Sequence, residues 1–145
     1  MPDWSTQLKT HGLRATAAAQ AVLAELHTAP TTLSHDELLT RITGRLGDRT
    51  PDRVTVYRVL ERLIDVGLVS SLATIGRARR FSVMKRDTQA QFECNRCHRI
   101  TAMTSDPQLQ KAVAVIHQRL QQMGMTALHP AIATHGLCAD CAGSA

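Results

Sequence analysis

Hydrophobic residues recur every three or four positions along the first half of the chain, a spacing typical of amphipathic helices. The pattern predicts a short opening helix over residues 5–11 and a second helix over 17–27. Ser34 and Glu37 form the pattern of a capping box, which predicts the start of a third helix. These segments indicate a small helical core built from aliphatic side chains.

A fourth amphipathic segment, from Thr50 to Ile64, combines an apolar stripe with several arginines. We expect Thr50 to cap this helix, with Pro51 at the first helical position, where its missing N–H costs nothing. One face carries the apolar residues Val56, Val59, Leu60 and Leu63. The other faces carry Arg53, Thr55, Tyr57, Arg58 and Arg62. Gly67 is expected to end the helix.

Two short strands, over residues 68–74 and 79–84, are predicted next, joined by a basic turn. After the short opening helix, three helices followed by a basic hairpin indicate a winged helix-turn-helix, whose last helix enters the major groove of DNA. In that arrangement the basic run faces phosphates: Arg77, Arg79, Arg80, Lys85 and Arg86. A small helical domain with a merely solvated basic helix remains the alternative at this point.

The second half predicts a smaller α/β domain. We expect short strands at 91–94 and 99–103, a helix that starts at Asp106, and a final strand over 125–134. The helix carries the apolar stripe Leu109, Val113, Ile116 and Leu120. The predicted organisation is a first domain over 1–84, a polar hinge over 85–90 and a second domain over 91–145.

The distribution of charge separates the two halves. Residues 1–86 contain 13 Lys and Arg against 8 Asp and Glu, whereas residues 87–145 contain 4 of each class. All of the net charge of +5 therefore lies in the half without cysteine. A basic face is the electrostatic footprint of a polyanionic partner, and its position on the predicted winged helix favours DNA.

Two further patterns bear on location. No apolar run approaches the roughly 18 residues of a membrane span. The first residues lack the charged and then apolar regions of a signal peptide. We therefore expect a cytoplasmic protein, and a reducing compartment favours metal binding over disulfides for its cysteines.

The four cysteines of the chain form two Cys-x-x-Cys pairs, Cys94 with Cys97 and Cys138 with Cys141. Together they supply four thiolates, the tetrahedral ligand set that Zn²⁺ prefers. Because all four ligands come from the protein, no position is left for water, and we predict one structural zinc per chain. Two disulfides, two unrelated buried pairs and a redox-active pair are the alternatives.

These motifs resemble the ferric uptake regulator family of metal-dependent, dimeric bacterial repressors. The resemblance covers nearly the whole chain and rests on the segments Gly12–Thr16, Val54–Leu60, Gly67–Val69, Phe92–Cys97 and His135–Cys141. The stretch that begins at Met123 and runs through the second cysteine pair is most similar to the zinc uptake regulators within the family.

The resemblance implies an α+β fold with an N-terminal winged helix-turn-helix and a small α/β dimerisation domain. It implies a homodimer that binds double-stranded DNA and represses metal-homeostasis genes from A·T-rich palindromes, with neither a membrane nor a small-molecule substrate as partner. By position, Tyr57 and Arg58 would lie in the major groove, with Tyr57 against a thymine methyl, and Arg14 would enter a narrow minor groove. The predicted DNA-binding residues are Arg14, Arg53, Thr55, Tyr57, Arg58, Arg77, Arg79 and Arg80.

The family also implies a sensory metal site that draws ligands from the wing, the hinge and the dimerisation domain. At the corresponding positions this chain carries Thr32, Ser82, Gln89, Gln91 and Ala102. Hydroxyls and amides are poor ligands for Zn²⁺ or Fe²⁺ beside imidazole and carboxylate, so the usual site is predicted to be dismantled. His129 and His135 match histidines of the zinc-regulator branch and are the candidates for a different regulatory site, whose metal the sequence does not identify.

Three other functions remain open. The chain is compatible with a DNA-binding protein of this family that is constitutive or controlled by another signal, with a zinc-storage or delivery protein, and with a thiol–disulfide enzyme. The helix that carries Tyr57 and Arg58 argues against the last two, since neither function needs an element that enters a DNA groove. No acid–base or nucleophilic constellation is present, so we expect a protein that is not an enzyme.

Overall fold

The computed structural model describes residues 2–72, 78–84, 88–126 and 132–143 and divides the chain into two compact units, Met1–Val83 and Met84–Ala145. The first unit contains α1 (Trp4–Thr10), α2 (Ala17–Thr28), β1 (Leu33–Ser34), α3 (His35–Leu46), α4 (Arg53–Asp65), β2 (Val69–Leu72) and β3 (Arg80–Val83). The second unit contains β4 (Thr88–Cys94), β5 (Ile100–Thr104), α5 (Pro107–Gln122), β6 (Ile132–Gly136) and α6 (Ala139–Gly143).

The predicted capping box at the start of α3 is confirmed. The Ser34 hydroxyl accepts a hydrogen bond from the Glu37 backbone N–H at 3.2 Å, and the Ser34 N–H donates to the Glu37 carboxylate at 3.0 Å. Two backbone groups that would otherwise lack partners at the helix end are thereby satisfied. The same glutamate also reaches Arg80, which ties the start of α3 to the wing.

The start of α4 differs from the prediction. The N-cap is Asp52 and not Thr50, because the Asp52 carboxylate accepts a hydrogen bond from the Thr55 backbone N–H at 2.8 Å. Thr50 instead closes the preceding 3-10 turn, Gly47–Arg49, by donating its N–H to the carbonyl oxygen of Gly47 at 3.1 Å. Pro51 consequently precedes the helix and does not occupy its first position.

Gly67 ends α4 as predicted and turns the chain into the wing. Its φ of 80° lies in the left-handed region that favours glycine. The Gly67 N–H donates to the carbonyl of Ile64 at 3.0 Å, and the Leu68 N–H donates to the carbonyl of Leu63 at 2.9 Å. This pair of bonds is a Schellman motif, and it places β2 directly after α4.

The sheet of the first unit has the order β1-β3-β2, with antiparallel pairing throughout. The hairpin of β2 and β3 confirms the predicted wing, although β2 begins one residue later and β3 is shorter than expected. Residues 73–77, which include the predicted end of β2 and Arg77, lie outside the described residues. The strand β1 was not predicted, because two residues are too few to show a periodic pattern. It pairs Leu33 with Phe81 and Ser34 with Arg80.

One hydrophobic core holds the first unit together. Side chains from all four of its α-helices belong to this core, together with Phe81 of the wing, which is itself buried. The largest fully buried residues are Leu8, Leu23, Leu38, Ile42, Leu60, Leu63 and Phe81. Four helices packed on a small antiparallel sheet confirm the predicted winged helix-turn-helix.

The second unit is a sheet of order β5-β4-β6 with α5 and α6. Asp106 caps α5 by accepting a hydrogen bond from the Leu109 N–H at 2.9 Å. The strand β4 begins at Thr88, so residues 88–90 of the predicted hinge belong to a strand, and residues 85–87 lie outside the described part. Of the predicted final strand over 125–134, residues 127–131 lie outside the described part, and the described strand β6 spans Ile132–Gly136; α6 was not foreseen.

Candidate metal centre and nucleic-acid interface

The register of the second sheet brings the two cysteine pairs together. The strands β4 and β6 run parallel and place Cys94, the last residue of β4, opposite Gly136. The Asn95 N–H then donates to the Gly136 carbonyl at 2.7 Å. Beyond this bond, the segment after β4 turns through Cys97, while the segment after β6 passes Cys138 and enters α6, which contains Cys141.

The four sulfur atoms form a cluster that fits a structural Zn²⁺. All of them lie within 4.8 Å of one another, and the Sγ atoms of Cys97 and Cys138 are 3.8 Å apart. A tetrahedral site with Zn–S bonds of about 2.3 Å requires S···S separations of about 3.8 Å. The cysteines are free thiols, and a disulfide would need an S–S distance of about 2.05 Å, so the disulfide alternative is excluded.

The chemistry of the thiols also favours a cation. Hydrogen bonds from the backbone N–H groups of Cys138 and Cys97 lower the pKa of Cys94 to about 5. In contrast, the hydrogen bond with the Cys138 side chain and burial raise the pKa of Cys141 to about 12. Without a metal, the cluster therefore favours a thiolate at Cys94 but disfavours the ionisation of all four sulfur atoms at once. A divalent cation removes this conflict, because it stabilises all of the thiolates together.

Polar contacts join the two cysteine pairs around the sulfur atoms. The Arg96 guanidinium donates to the carbonyl oxygen of Cys141 at 3.0 Å, and the Arg99 guanidinium pairs with the carboxylate of Asp140 at 3.0 Å. His98, which follows the first pair, adopts a φ of 61°. The contacts of Arg96 and Arg99 could not be predicted from the sequence, because they connect residues more than 40 positions apart.

The left-handed backbone conformation of His98 is accompanied by a side-chain contact and a backbone hydrogen bond. Its Nδ1 lies 3.2 Å from the carboxylate of the buried Glu93, and its backbone N–H donates to the Cys94 carbonyl at 2.9 Å. The left-handed conformation of a non-glycine residue costs free energy, which these contacts offset. The contacts hold the turn between the first two cysteines in one shape.

The helix α4 presents three of its four predicted DNA-binding side chains to solvent. Its buried side packs into the core through Val56, Leu60 and Leu63. Arg53, Tyr57 and Arg58 are exposed. Arg53 lies 2.6 Å from the Asp36 carboxylate, and Arg58 forms no ion pair with any residue of the described part.

Thr55 and Arg79 have contacts within the unit. The Thr55 hydroxyl donates to the Asp52 carboxylate at 3.0 Å, as part of the helix cap. The guanidinium of Arg79 donates to Glu61 at 2.6 Å and to the Ser71 hydroxyl at 3.0 Å, and it lies 5.3 Å from the centre of the Phe81 ring. Both residues retain partial exposure, but neither is free to reorient without breaking these contacts.

Arg80, a predicted phosphate contact, has most of its side chain enclosed by the first unit. Only 18% of this side chain is exposed. Its guanidinium donates to both oxygens of Thr32, at 2.9 and 2.7 Å, and to the carboxylate of Glu37 at 2.9 Å. These contacts hold the Arg80 side chain against the unit, and its predicted phosphate contact stays a prediction.

The remaining predicted contacts divide between described and undescribed residues. Arg14 is exposed in the loop between α1 and α2, whereas Arg77 lies outside the described residues. An exposed residue of α4 that was not predicted is Val54. The sequence could have indicated the exposure of Val54, because this residue does not belong to the apolar stripe of the helix.

The positions implied for a sensory site lack ligand chemistry; three of them are enclosed, and Ala102 is exposed. Thr32, Ser82 and Gln91 are buried. The side chain of Gln89 and the whole of His129 lie outside the described residues. His135 is exposed, with its Nδ1 3.5 Å from the Asn95 amide. Within the described part of the chain, the four cysteines are the only group of three or more His, Cys, Asp or Glu side chains that lie close enough to share a metal.

A winged helix followed by an α/β unit with a four-cysteine cluster defines a class of metal-containing DNA-binding regulators. The family model described as "Ferric uptake regulator family" matches residues 10–131, and the chain belongs to this family. This result confirms the family predicted from the sequence motifs. No curated protein sequence matches the chain significantly.

Solved structures of the family have the same fold. Holo XcZur is 24% identical, with 96% of this chain and 94% of that chain covered and a TM-score of 0.68. A zinc uptake regulator complexed with zinc and DNA is 22% identical, with 97% and 91% covered and a TM-score of 0.68. The ferric uptake regulator of Helicobacter pylori is 20% identical, with 94% and 87% covered and a TM-score of 0.60.

Among the described residues, no helix is both long enough and apolar enough to cross a bilayer.

Proposed function

We propose that the protein is a homodimeric transcriptional repressor that binds A·T-rich palindromic operators of metal-homeostasis genes in the cytoplasm. The observation that carries this proposal is the exposed side of α4, where Arg53, Tyr57 and Arg58 face solvent on a helix anchored by its apolar side. A recognition helix needs this division, because its outer side must enter the major groove while its inner side stays fixed. Membership of a family of DNA-binding regulators supports it.

The second unit supports a homodimer. Of the predicted apolar stripe on α5, only Val113 is buried within the unit. Among the described residues of this unit, the exposed large hydrophobic ones are Met103, Val115, Ile116, Met123, Met125 and Leu137. A second copy of the chain would remove this apolar surface from water, and a two-fold symmetric dimer would match the two halves of a palindrome.

The proposal is tested by equilibrium binding to short duplexes. Protein that holds one zinc per chain is titrated with an A·T-rich palindrome selected from a random library and with a scrambled duplex of the same composition. We expect a preference on the order of a thousandfold or more for the selected duplex, and sedimentation should show two chains per duplex. Equal and weak binding to both duplexes would instead favour the zinc-storage alternative.

A second candidate function is DNA binding that does not depend on a regulatory metal. It is favoured by the contacts of Arg80, whose guanidinium donates hydrogen bonds to both oxygens of Thr32. A fixed cation beside this implied ligand position repels a divalent metal, and the hydroxyls of Thr32 and Ser82 do not replace imidazole or carboxylate as ligands. This candidate is tested by comparing operator affinity before and after metal is added to the one-zinc dimer.

A further inference from the structure

The first unit exposes two large hydrophobic side chains among its described residues, and both lie on α4. Val54 is 57% exposed and Tyr57 is 49% exposed. Residues three apart on a helix are neighbours on its surface, so these side chains form one apolar spot. Single exposed hydrophobic residues are normal, but two adjacent ones on the proposed recognition helix call for a ligand with apolar groups.

The charges around the spot identify the class of ligand. Arg53 precedes Val54, and Arg58 lies four residues beyond it, so basic side chains flank the apolar surface. A partner that suits both features is a polyanion that carries small apolar groups. The major groove of A·T-rich DNA meets this description, because each thymine presents a 5-methyl group there between two phosphate backbones.

The ring of Tyr57 packs against the ring of His35, the first residue of α3. The two ring centres are 6.2 Å apart, and the ring planes are inclined by 50°. Both ring nitrogens of His35 are buried and form no hydrogen bond within the described part of the chain. His35 therefore acts here as a flat packing surface for the tyrosine ring, and this contact limits the positions that the ring adopts before DNA is bound.

We infer that Val54 is a specificity-determining residue, which together with Tyr57 contacts the methyl groups of neighbouring thymines, and that His35 is a positioning residue for Tyr57. The inference rests on the proposed function. Val54 is the second residue of α4, and the N-terminal end of a recognition helix is the part that contacts base edges. A valine has no hydrogen-bonding group, so its contribution to sequence preference comes from contact with methyl groups.

The inference is tested by replacing single thymines with uracil, which lacks only the methyl group. The probe is the duplex that the full-length, zinc-loaded wild-type protein selects from a random library. At one or more thymines we expect uracil to weaken wild-type binding about fourfold, the loss that corresponds to one buried methyl group. Val54→Ala should bind the thymine and uracil duplexes equally at one of these positions and retain the wild-type difference at the others.

Two further variants separate contact from structure. Val54→Ile keeps an apolar branched side chain and should retain the discrimination between thymine and uracil. His35→Ala should reduce discrimination at the thymine that Tyr57→Ala ceases to discriminate. A change in folding stability alone would not produce such a position-specific effect.

The outcomes distinguish this inference from the proposed function. If no sequence is enriched in the selection, both are overturned. If a sequence is enriched but Val54→Ala discriminates every thymine as the wild type does, the role of Val54 is wrong while the proposed function stands. Unchanged discrimination in His35→Ala overturns the positioning role of His35.

Discussion

The guanidinium group of Arg80 donates hydrogen bonds to both oxygens of Thr32, through Nε to the hydroxyl at 2.9 Å and through Nη2 to the carbonyl at 2.7 Å. Thr32 is completely buried, with an exposed fraction of 0%. The contact joins β3 of the wing to the segment before α3, and Glu37 completes it from the first turn of that helix. A residue expected to bind phosphate thus stabilises the fold.

This relationship predicts that Arg80→Ala destabilises the first unit by about 1–3 kcal/mol, because the buried oxygens of Thr32 lose the hydrogen bonds from the guanidinium. The fluorescence of Trp4, the single tryptophan and a buried residue of this unit, follows the unfolding in urea. Arg62→Ala, the removal of an exposed arginine on α4, is the control and should change the stability little. Wild-type stability combined with a flatter salt dependence of DNA binding would instead identify Arg80 as a phosphate contact.

Added metal is predicted to have little effect on operator binding. A metal shifts a conformational equilibrium only through different affinities for the two states, and Thr32, Ser82 and Gln91 offer no good ligands. Adding Zn²⁺, Fe²⁺ or Mn²⁺ to the one-zinc dimer should change the affinity less than tenfold, or below about 1.4 kcal/mol. The measurement is an operator titration at fixed salt with and without each metal.

A hundredfold tightening by one metal would reveal a working sensory site. Loss of that response in His129→Ala or His135→Ala would place the site at these histidines. Zinc analysis gives an independent check, since two metals per chain would require ligands beyond the four-cysteine cluster.

The zinc cluster is predicted to be essential for the second unit. Cys138→Ser removes one thiolate, and structural zinc contributes on the order of 10 kcal/mol to small domains. This exceeds what a domain of such size can lose. We expect the second unit to unfold or the dimer to dissociate, measured by circular dichroism, sedimentation and zinc per chain. A folded dimer without zinc would contradict the structural role.

The cap of α4 predicts a pH-dependent contribution to stability. Hydrogen bonds from the backbone N–H and the hydroxyl of Thr55 hold the pKa of Asp52 below its usual value of about 3.9. Because the pKa is lower in the folded protein than in the unfolded chain, the stabilisation is present above the unfolded value and is lost as the pH falls through the folded value. Asp52→Ala should therefore melt below the wild type at pH 7, and the difference should shrink below about pH 4.

The matched control for this prediction is Asp48→Ala, because Asp48 lies in the preceding 3-10 turn and does not cap α4. Thermal melts followed by Trp4 fluorescence between pH 7 and pH 3 compare the variants. A difference between Asp52→Ala and the wild type that stays constant over this range would show that the carboxylate charge does not stabilise the helix.

Features that depend on a few neighbouring residues followed from the sequence. The capping box of Ser34 and Glu37, the buried side of α4 and the end of that helix at Gly67 each involve residues at most a few positions apart. The ligand spacing within each cysteine pair is equally local. The choice between Thr50 and Asp52 as the cap was not decided by composition, since both residues cap well, and it depended on the 3-10 turn before them.

The side-chain hydrogen bonds that depend on the pairing of distant strands did not follow from the sequence. The contact between Arg80 and Thr32 spans 48 positions and exists because β1 pairs with β3. The ties of Arg96 and Arg99 across the cysteine cluster likewise depend on the parallel pairing of β4 with β6. No local periodicity encodes which side chains meet when distant strands pair, so these roles became visible only in the folded chain.

The central claim, that the exposed side of α4 confers sequence-specific DNA binding, is tested most directly with Tyr57→Ala. Its affinities for the selected operator and for a scrambled duplex are compared with those of the wild type and Tyr57→Phe at fixed salt. We predict that Tyr57→Ala loses about 1–3 kcal/mol for the operator and almost nothing for the scrambled duplex, while Tyr57→Phe, which keeps the ring, remains near wild type. Equal losses on both duplexes, or no loss on either, would contradict the claim.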